Sequence, residues 1–218
     1  MKYYIDIGAY DGELLSEIID KFPIYDRYIA FESVPELCNR IKKRFKNSEK
    51  VSVIQKAVST IDLKDQKFYV CYCAERGGCK GKGKEIGTGS SLLKTKGTGN
   101  LNKKVFIRVE TIDFSKYIVS NFEKEDDIIL KIDIEGKEYD VLEHMIETGS
   151  IFYINKIYCE WHYHKIKKHW DNYHNIKLKN KKRHDKLIKK LNNLGFKLTG
   201  KNTVDEMDYI IKVWRKDN

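Results

Sequence analysis

The sequence predicts an α/β domain built on a doubly wound, mostly parallel sheet, and three observations carry that expectation. Short β-branched and aromatic runs alternate with amphipathic helical stretches through the first 57 residues, the pattern of consecutive βαβ units. A continuous apolar run, IILKIDI, again precedes helical periodicity further along. Two short apolar runs close the chain and are placed to pair antiparallel.

Each element has its own signal. Lys2–Ile7 (KYYIDI) is a strand ending at Gly8, and Leu14, Leu15, Ile18 and Ile19 then fall at helical spacing. Tyr28–Glu32 (YIAFE) is a second strand. Pro35 opens a helix in which Leu37, Ile41 and Phe45 recur every four residues, and Val51–Ala57 (VSVIQKA) is a third strand. Lys67–Tyr72 and Lys104–Glu110 alternate as strands, with eight of the fourteen glycines between them. They predict a β-hairpin insertion carrying a mobile glycine-rich loop over residues 74–104, ahead of the fourth sheet strand. That strand is Ile128–Ile134, followed by Glu135, Gly136 and a helix with Tyr139, Val141, Leu142, Met145 and Ile146 on its apolar side. Lys156–Trp161 (KIYCEW) is the fifth. A helix bearing Leu187, Ile188, Leu191 and Leu194 stops at Gly195, and Phe196–Thr199 and Met207–Trp214 complete a seven-stranded sheet.

Composition narrows the class. With 218 residues, 41% of them hydrophobic, the chain buries one core, so residues 1–218 are expected to form a single domain. No apolar run approaches about 18 residues, and the opening MKYYIDIGAYDG lacks a basic region followed by an apolar core. No membrane span and a cytoplasmic location are expected. Cys38, Cys71, Cys73, Cys79 and Cys159 are an odd number, which argues for reduced thiols. The run CYCAERGGC offers three thiolates to zinc, or else two side chains on one face of a strand. The net charge of +10 concentrates in Trp161–Lys190 at +9 and Ala74–Lys104 at +6, leaving the rest of the chain mildly acidic. Two basic segments on an acidic body suit an anionic partner, or else form solvated faces.

In an open α/β sheet, ligands sit beyond the carboxyl ends of the strands, so the turn after the first strand draws the eye. There Asp6, Gly8, Ala9, Asp11 and Gly12 surround a tight bend, and Glu32 follows Gly12 by twenty residues at the tip of the second strand. An acid at that point accepts hydrogen bonds from both hydroxyls of a ribose. The spacing differs from the three-glycine dinucleotide fingerprint, and KGKGKEIGTGSS lacks the ending of a P-loop. Carboxylates around a glycine turn suit a donor carrying ammonium and sulfonium charges, and S-adenosylmethionine has both together with a ribose diol.

With these residues in view, the chain resembles a known family. DIGAYDGE (Asp6–Glu13), FES (Phe31–Ser33), QKAVS (Gln55–Ser59), GTGSSL (Gly87–Leu92), VETIDF (Val109–Phe114), KIDIEGKEYDVL (Lys131–Leu142) and CEWH (Cys159–His162) follow the order of FkbM-like methyltransferases. The resemblance covers roughly residues 3–165, with DIGAYDGE and KIDIEGKEYDVL its most specific parts. It implies a Rossmann-like, class I S-adenosylmethionine-dependent methyltransferase acting on a hydroxyl of a sugar or secondary metabolite. By the same resemblance, Asp6, Gly8, Ala9, Asp11 and Gly12 line the methionine part of the cofactor, Glu32 and Ser33 the ribose, and Lys56, Ala57 and Val58 the adenine edge. Asp133 faces the reacting methyl. Members often carry Asn where Tyr10 stands, and the chain from His164 onward has no clear counterpart.

Methyl transfer to a hydroxyl needs a positioned acceptor, a route for its proton and a dry site. The strand ends supply Lys131, Asp133, Glu160 and His162 as candidate catalytic residues, with His162 the first choice of base, Glu160 its orienting partner and Asp133 the competing base. Glu135 and Glu138 are also read as caps of the following helix. A second option has Asp133, Glu135, Glu160 and His162 holding Mg²⁺. Ser90, Ser91, Glu135, His164 and Trp170 are candidate acceptor-binding residues. The basic aromatic stretch 162–190 is read either as a wall for that acceptor or as an amphipathic helix packed into the domain. The leading expectation is a sugar, glycan or small-metabolite O-methyltransferase, with an anionic acceptor in keeping with the basic segments. An RNA ribose or cap 2′-O-methyltransferase and a non-catalytic Rossmann-like binding module are the alternatives.

Overall fold

The computed structural model describes residues 1–73, 85–87, 89–94, 96, 104–163, 173–199 and 211–216. Its central sheet grows outward from β1 (Lys2–Ile7) in two directions. One way lie β2 (Arg27–Phe31) and β3 (Val51–Ile54), each reached through a helix, α1 (Glu13–Lys21) and α2 (Pro35–Arg44). The other way lie β9 (Asp127–Ile132) and β10 (Lys156–Glu160), joined by α4 (Glu138–Thr148). These five strands are parallel; β12 (Ile211–Lys216) and β11 (Phe196–Thr199) extend the sheet antiparallel beyond β10. The order β11-β12-β10-β9-β1-β2-β3 puts the topological switch between β1 and β9.

Alternation along β1 divides its side chains between two cores. Ile5 and Ile7 pack with Phe114, Ile118, Tyr139, Leu142 and Met145 on one face. Tyr4 packs with Leu15, Ile18 and Ile41 of α1 and α2 on the other. Asp6 follows the period of Tyr4 into this second face. Its register partner on β9 is Lys131, so opposite charges stand directly across the two central strands.

The insertion before the fourth parallel strand differs from the expected single hairpin. Val51–Ala57 is not one strand: the chain leaves the main sheet after Ile54, and β4 (Ala57–Ser59) starts a separate three-stranded sheet. There β8 (Phe106–Asp113) runs parallel to β4 and antiparallel to β5 (Leu63–Tyr69). A short pair, β6 (Tyr72–Cys73) and β7 (Glu85–Ile86), forms a further two-stranded sheet of its own. The alternation signal was sound, but it marked a second sheet. The sequence reading also lacks α3 (Phe114–Asn121), whose N-cap Asp113 accepts from the Lys116 N–H; its eight residues are too few for periodicity to declare itself. Much of the glycine-rich stretch 74–104 lies outside the described residues.

Candidate active site

The turn after β1 is shaped by neighbours that leave no room for a side chain. Gly8 has φ +82°, and a Cβ there would stand 2.0 Å from the Asp133 carbonyl oxygen, so β1 and β9 converge only over a glycine. The Gly8 and Ala9 N–H groups donate to the Phe31 carbonyl at 3.0 and 3.1 Å, fastening the turn to β2. Gly12 also has a positive φ, +79°, and its open side faces Ile41 and Phe45 of α2. Its freedom therefore serves helix packing.

Tyr10 sits at φ +54°, a left-handed conformation rare for an aromatic residue. Two bonds hold it there. Its N–H donates to Glu32 Oε2 at 3.0 Å, and its hydroxyl donates to the Ile86 carbonyl at 3.1 Å, tying the turn to β7. Glu32 also accepts from the Val34 N–H at 2.8 Å, with the Ser33 hydroxyl at 3.5 Å. Burial pushes the Glu32 carboxyl up to about 7, against the lowering effect of these backbone bonds.

Between these tips runs an open cleft of about 680 Å³, its open mouth included. Gly8, Glu32, Ser33, Lys56, Ala57, Val58 and Asp133 border it, as the cofactor expectation has it. Tyr10, Val34 and Phe68 border it too, and composition gave no hint of them. Asp6, Ala9 and Asp11 are buried and do not border the cleft. Asp11 accepts from the Glu13 N–H at the start of α1. Asp6 is wholly buried with Oδ1 3.0 Å from Lys131 Nζ, out of hydrogen-bond alignment, and its Oδ2 has no hydrogen-bond partner.

Lys131 links the two central strands. Its ammonium donates to the Gly8 carbonyl at 2.9 Å and lies 3.8 Å from Asp133 Oδ2. Burial disfavours its charge, yet the Asp6 and Asp133 carboxylates hold its pKa above the ordinary lysine value. It acts on backbone and carboxylates and does not border the cleft.

Beyond β9, Asp133 and Glu135 border the cleft from the turn before α4. Burial pushes Asp133 up to about 7; Lys131 and His162 pull it down, Glu160 and Glu135 push it further up. Glu135 has φ +56°, its carboxylate is 2.6 Å from Lys96 Nζ, and Lys96 donates to the Gly89 carbonyl at 2.5 Å. His162 is wholly buried, with Nδ1 2.7 Å from Glu138 Oε1 and Nε2 2.9 Å from Glu160 Oε1. Burial works against the charged ring, but these carboxylates outweigh it and push its pKa up to about 10. Where both ring nitrogens donate to these carboxylates, no lone pair is left on the ring to take a proton. Asp133, Glu135 and His162 offer atoms within 4.8 Å of one another, close enough to share a cation. Lys96, Lys131 and the imidazolium already meet their charge in part.

The acceptor-side expectations divide. Ser90 borders the cleft, but its hydroxyl is engaged with the Gly87 carbonyl and the Cys71 N–H. Ser91 is wholly buried and donates to the Glu135 carbonyl at 3.0 Å, so it supports the site from behind. His164 and Trp170 lie outside the described residues. The rest of the basic stretch is α5 (Tyr173–Asn193), whose described part packs into the domain: Leu187 and Leu191 are buried, and His184 meets the Tyr139 hydroxyl at 3.1 Å. Arg183 is bound to Glu143 and Asp140 of α4. Cys38, Cys71 and Cys159 are buried and outside any disulfide among the described residues; Cys79 lies outside the described residues.

Residues 6–198 match the family model for the methyltransferase FkbM domain, and the chain belongs to that family. The fold is similar to that of the methyltransferase FkbM from Methylobacillus flagellatus KT, with a TM-score of 0.50 at 11% identity. That match covers 99% of this chain and 44% of the Methylobacillus protein, so the chain spans less than half its length. A second similar structure is the SAH-bound methyltransferase PaMTH1 of Podospora anserina, at TM-score 0.48 and 9% identity, covering 99% of this chain and 72% of that one. No curated protein matches the sequence. Among the described residues no helix is long and apolar enough to cross a membrane.

Proposed function

We propose that the protein transfers the methyl group of S-adenosylmethionine to a hydroxyl oxygen of a sugar, glycan or other small metabolite. One observation carries the reading: a single cleft at the switch point has Glu32 at one end and Asp133 at the other, each a carboxyl held near neutrality. The residues present suit such a donor. Glu32 keeps accepting capacity beyond its backbone bonds for a ribose diol. Around the other end, Asp6, Asp133, Glu135, Glu138 and Glu160 outnumber Lys96, Lys131 and His162, a negative excess that favours ammonium and sulfonium groups.

When bound, the donor supplies an electrophilic methyl carbon in line with the acceptor oxygen. Asp133, ionised in part at neutral pH, takes the hydroxyl proton as the oxygen attacks. Lys131 holds the Gly8 carbonyl and the Asp133 carboxylate in mutual register. Phe68, Leu92 and Val34 wall the cleft against water. Cys38 and Cys159, buried outside any disulfide, support a cytoplasmic location. RNA as acceptor has one observation in its favour: Lys179, Lys182, Lys186 and Lys189 are exposed along α5 at intervals of three and four residues.

Calorimetry with S-adenosylhomocysteine tests the donor. The wild type is expected to bind, and Glu32→Ala to weaken binding about 10- to 100-fold, the worth of a charged hydrogen bond. A wild type that does not bind leaves the non-catalytic module as the reading. Transfer of labelled methyl to rhamnose and uronic-acid glycans, set against capped RNA at moderate salt, tests the acceptor; greater transfer to RNA overturns the sugar reading.

A further inference from the structure

We infer that Tyr10 is the positioning residue of the donor end: its hydroxyl latches the turn after β1 onto β7 and so keeps its own N–H aimed at the Glu32 carboxylate. The inference rests on reading Glu32 as the grip on the donor's ribose. Tyr10 stands at φ +54°, a conformation an aromatic residue seldom adopts unless contacts elsewhere hold it there. Its hydroxyl donates to the Ile86 carbonyl at 3.1 Å, across 76 positions of sequence, and its N–H donates to Glu32 Oε2 at 3.0 Å. One residue therefore joins the insertion, the turn and the tip of β2.

The far end of the latch is itself fixed. Ile86 pairs with Tyr72 across β6 and β7, and the Gly87 N–H that follows donates to the Cys71 carbonyl at 2.7 Å. Ile86 also packs with Val34 and Leu37 from the start of α2 and with Val70, in a cluster apart from the two main cores, and the Tyr10 ring packs against it. Val34 is the second backbone donor to Glu32, reaching Oε1 at 2.8 Å. Both residues whose N–H groups grip the carboxylate thus share one cluster with the insertion. A turn held in a disfavoured conformation orients a carboxylate only while something holds the turn, and the Tyr10 hydroxyl supplies that hold. Glu32 borders the cleft, so an orientation fixed in this way is the one a ligand meets.

Calorimetry with S-adenosylhomocysteine and amide hydrogen exchange, both on the full chain, test the latch. Tyr10→Phe keeps the ring and removes only the hydroxyl; it should weaken binding about fivefold, the worth of one hydrogen bond. In a Glu32→Ala background the same change should alter affinity less than about twofold, because the carboxylate it acts through is gone. A contact that merely supports the fold costs the same factor in both backgrounds. Tyr10→Gly accepts the left-handed backbone without strain yet has no latch, and should bind at least as weakly as Tyr10→Phe. Exchange reads the turn with no ligand present: the N–H of residue 10 should exchange about tenfold faster in Tyr10→Phe than in wild type, while the Leu130 N–H in the centre of β9 keeps its rate. Wild-type affinity in Tyr10→Gly, an equal loss in both backgrounds, or unchanged exchange at residue 10 overturns the proposal. A wild type that fails to bind S-adenosylhomocysteine overturns the donor reading, and the exchange rates still decide the latch, so the two fail separately.

Discussion

The two ends of the cleft both rest on buried carboxylates, but they hold them by different means. At the donor end, Glu32 is gripped by backbone N–H groups of Tyr10 and Val34, from the turn after β1 and the residues directly after β2. At the reacting end, side chains from β9, β10, α4 and the Gly89–Lys96 segment meet as ion pairs around His162. Backbone capture depends on local conformation and tolerates many side chains. A cluster of charges tolerates few, because each member neutralises the next.

The comparison breaks hardest where a cation is lost. Lys131→Met leaves the buried Asp6 carboxylate without its counter-charge and is expected to destabilise the fold by about 3–5 kcal/mol, read by urea unfolding. At the donor end the harshest change acts on backbone: Gly8→Ala drives a methyl group into the Asp133 carbonyl and should remove roughly 2–4 kcal/mol together with S-adenosylhomocysteine binding. Survival of either variant with wild-type stability would erase the distinction drawn between the two ends.

Acidity sharpens it further. Glu32 rises from 4.5 to about 7 on folding, so the folded chain holds the extra proton between those values, and this contribution is lost as pH climbs through them. His162 rises from 6.5 to about 10, and its contribution, complete below 6.5, is lost between 6.5 and 10. Unfolding free energy should therefore fall from about pH 5 to about pH 10, with Glu138→Gln flattening only the alkaline part. Methyl transfer runs the other way, rising about tenfold per pH unit below the Asp133 value of about 7 and levelling above it. The smallest effect belongs to Lys56, whose pair with Glu110 at 3.1 Å is solvent-exposed; Lys56→Ala should shift stability by less than about 1 kcal/mol in the same unfolding assay.

The same difference explains what could be read in advance. Glu32, Ser33 and Lys56 to Val58 follow strand tips that periodicity locates, so their place along the cleft was legible in the sequence. Strand pairing order was partly legible for the same reason. Gly12 and Asp11 pointed to the right turn but serve α1 and α2, since a glycine motif does not say which neighbour its open side faces. The reacting end was less legible. Glu138 reads locally as a helix cap, and nothing near it in sequence announces His162, twenty-four residues on. Lys96 sits among glycines and polar residues, and only the folded chain brings it to Glu135. His162 was found by position, but its surroundings were not legible, because the carboxylates it meets come from two other elements.

A crystal structure with S-adenosylhomocysteine bound tests the central claim most directly. The ribose hydroxyls should lie within hydrogen-bond distance of Glu32 and the sulfur should face Asp133. A ligand seated elsewhere, or turned so that its sulfur lies at Glu32, would contradict the account.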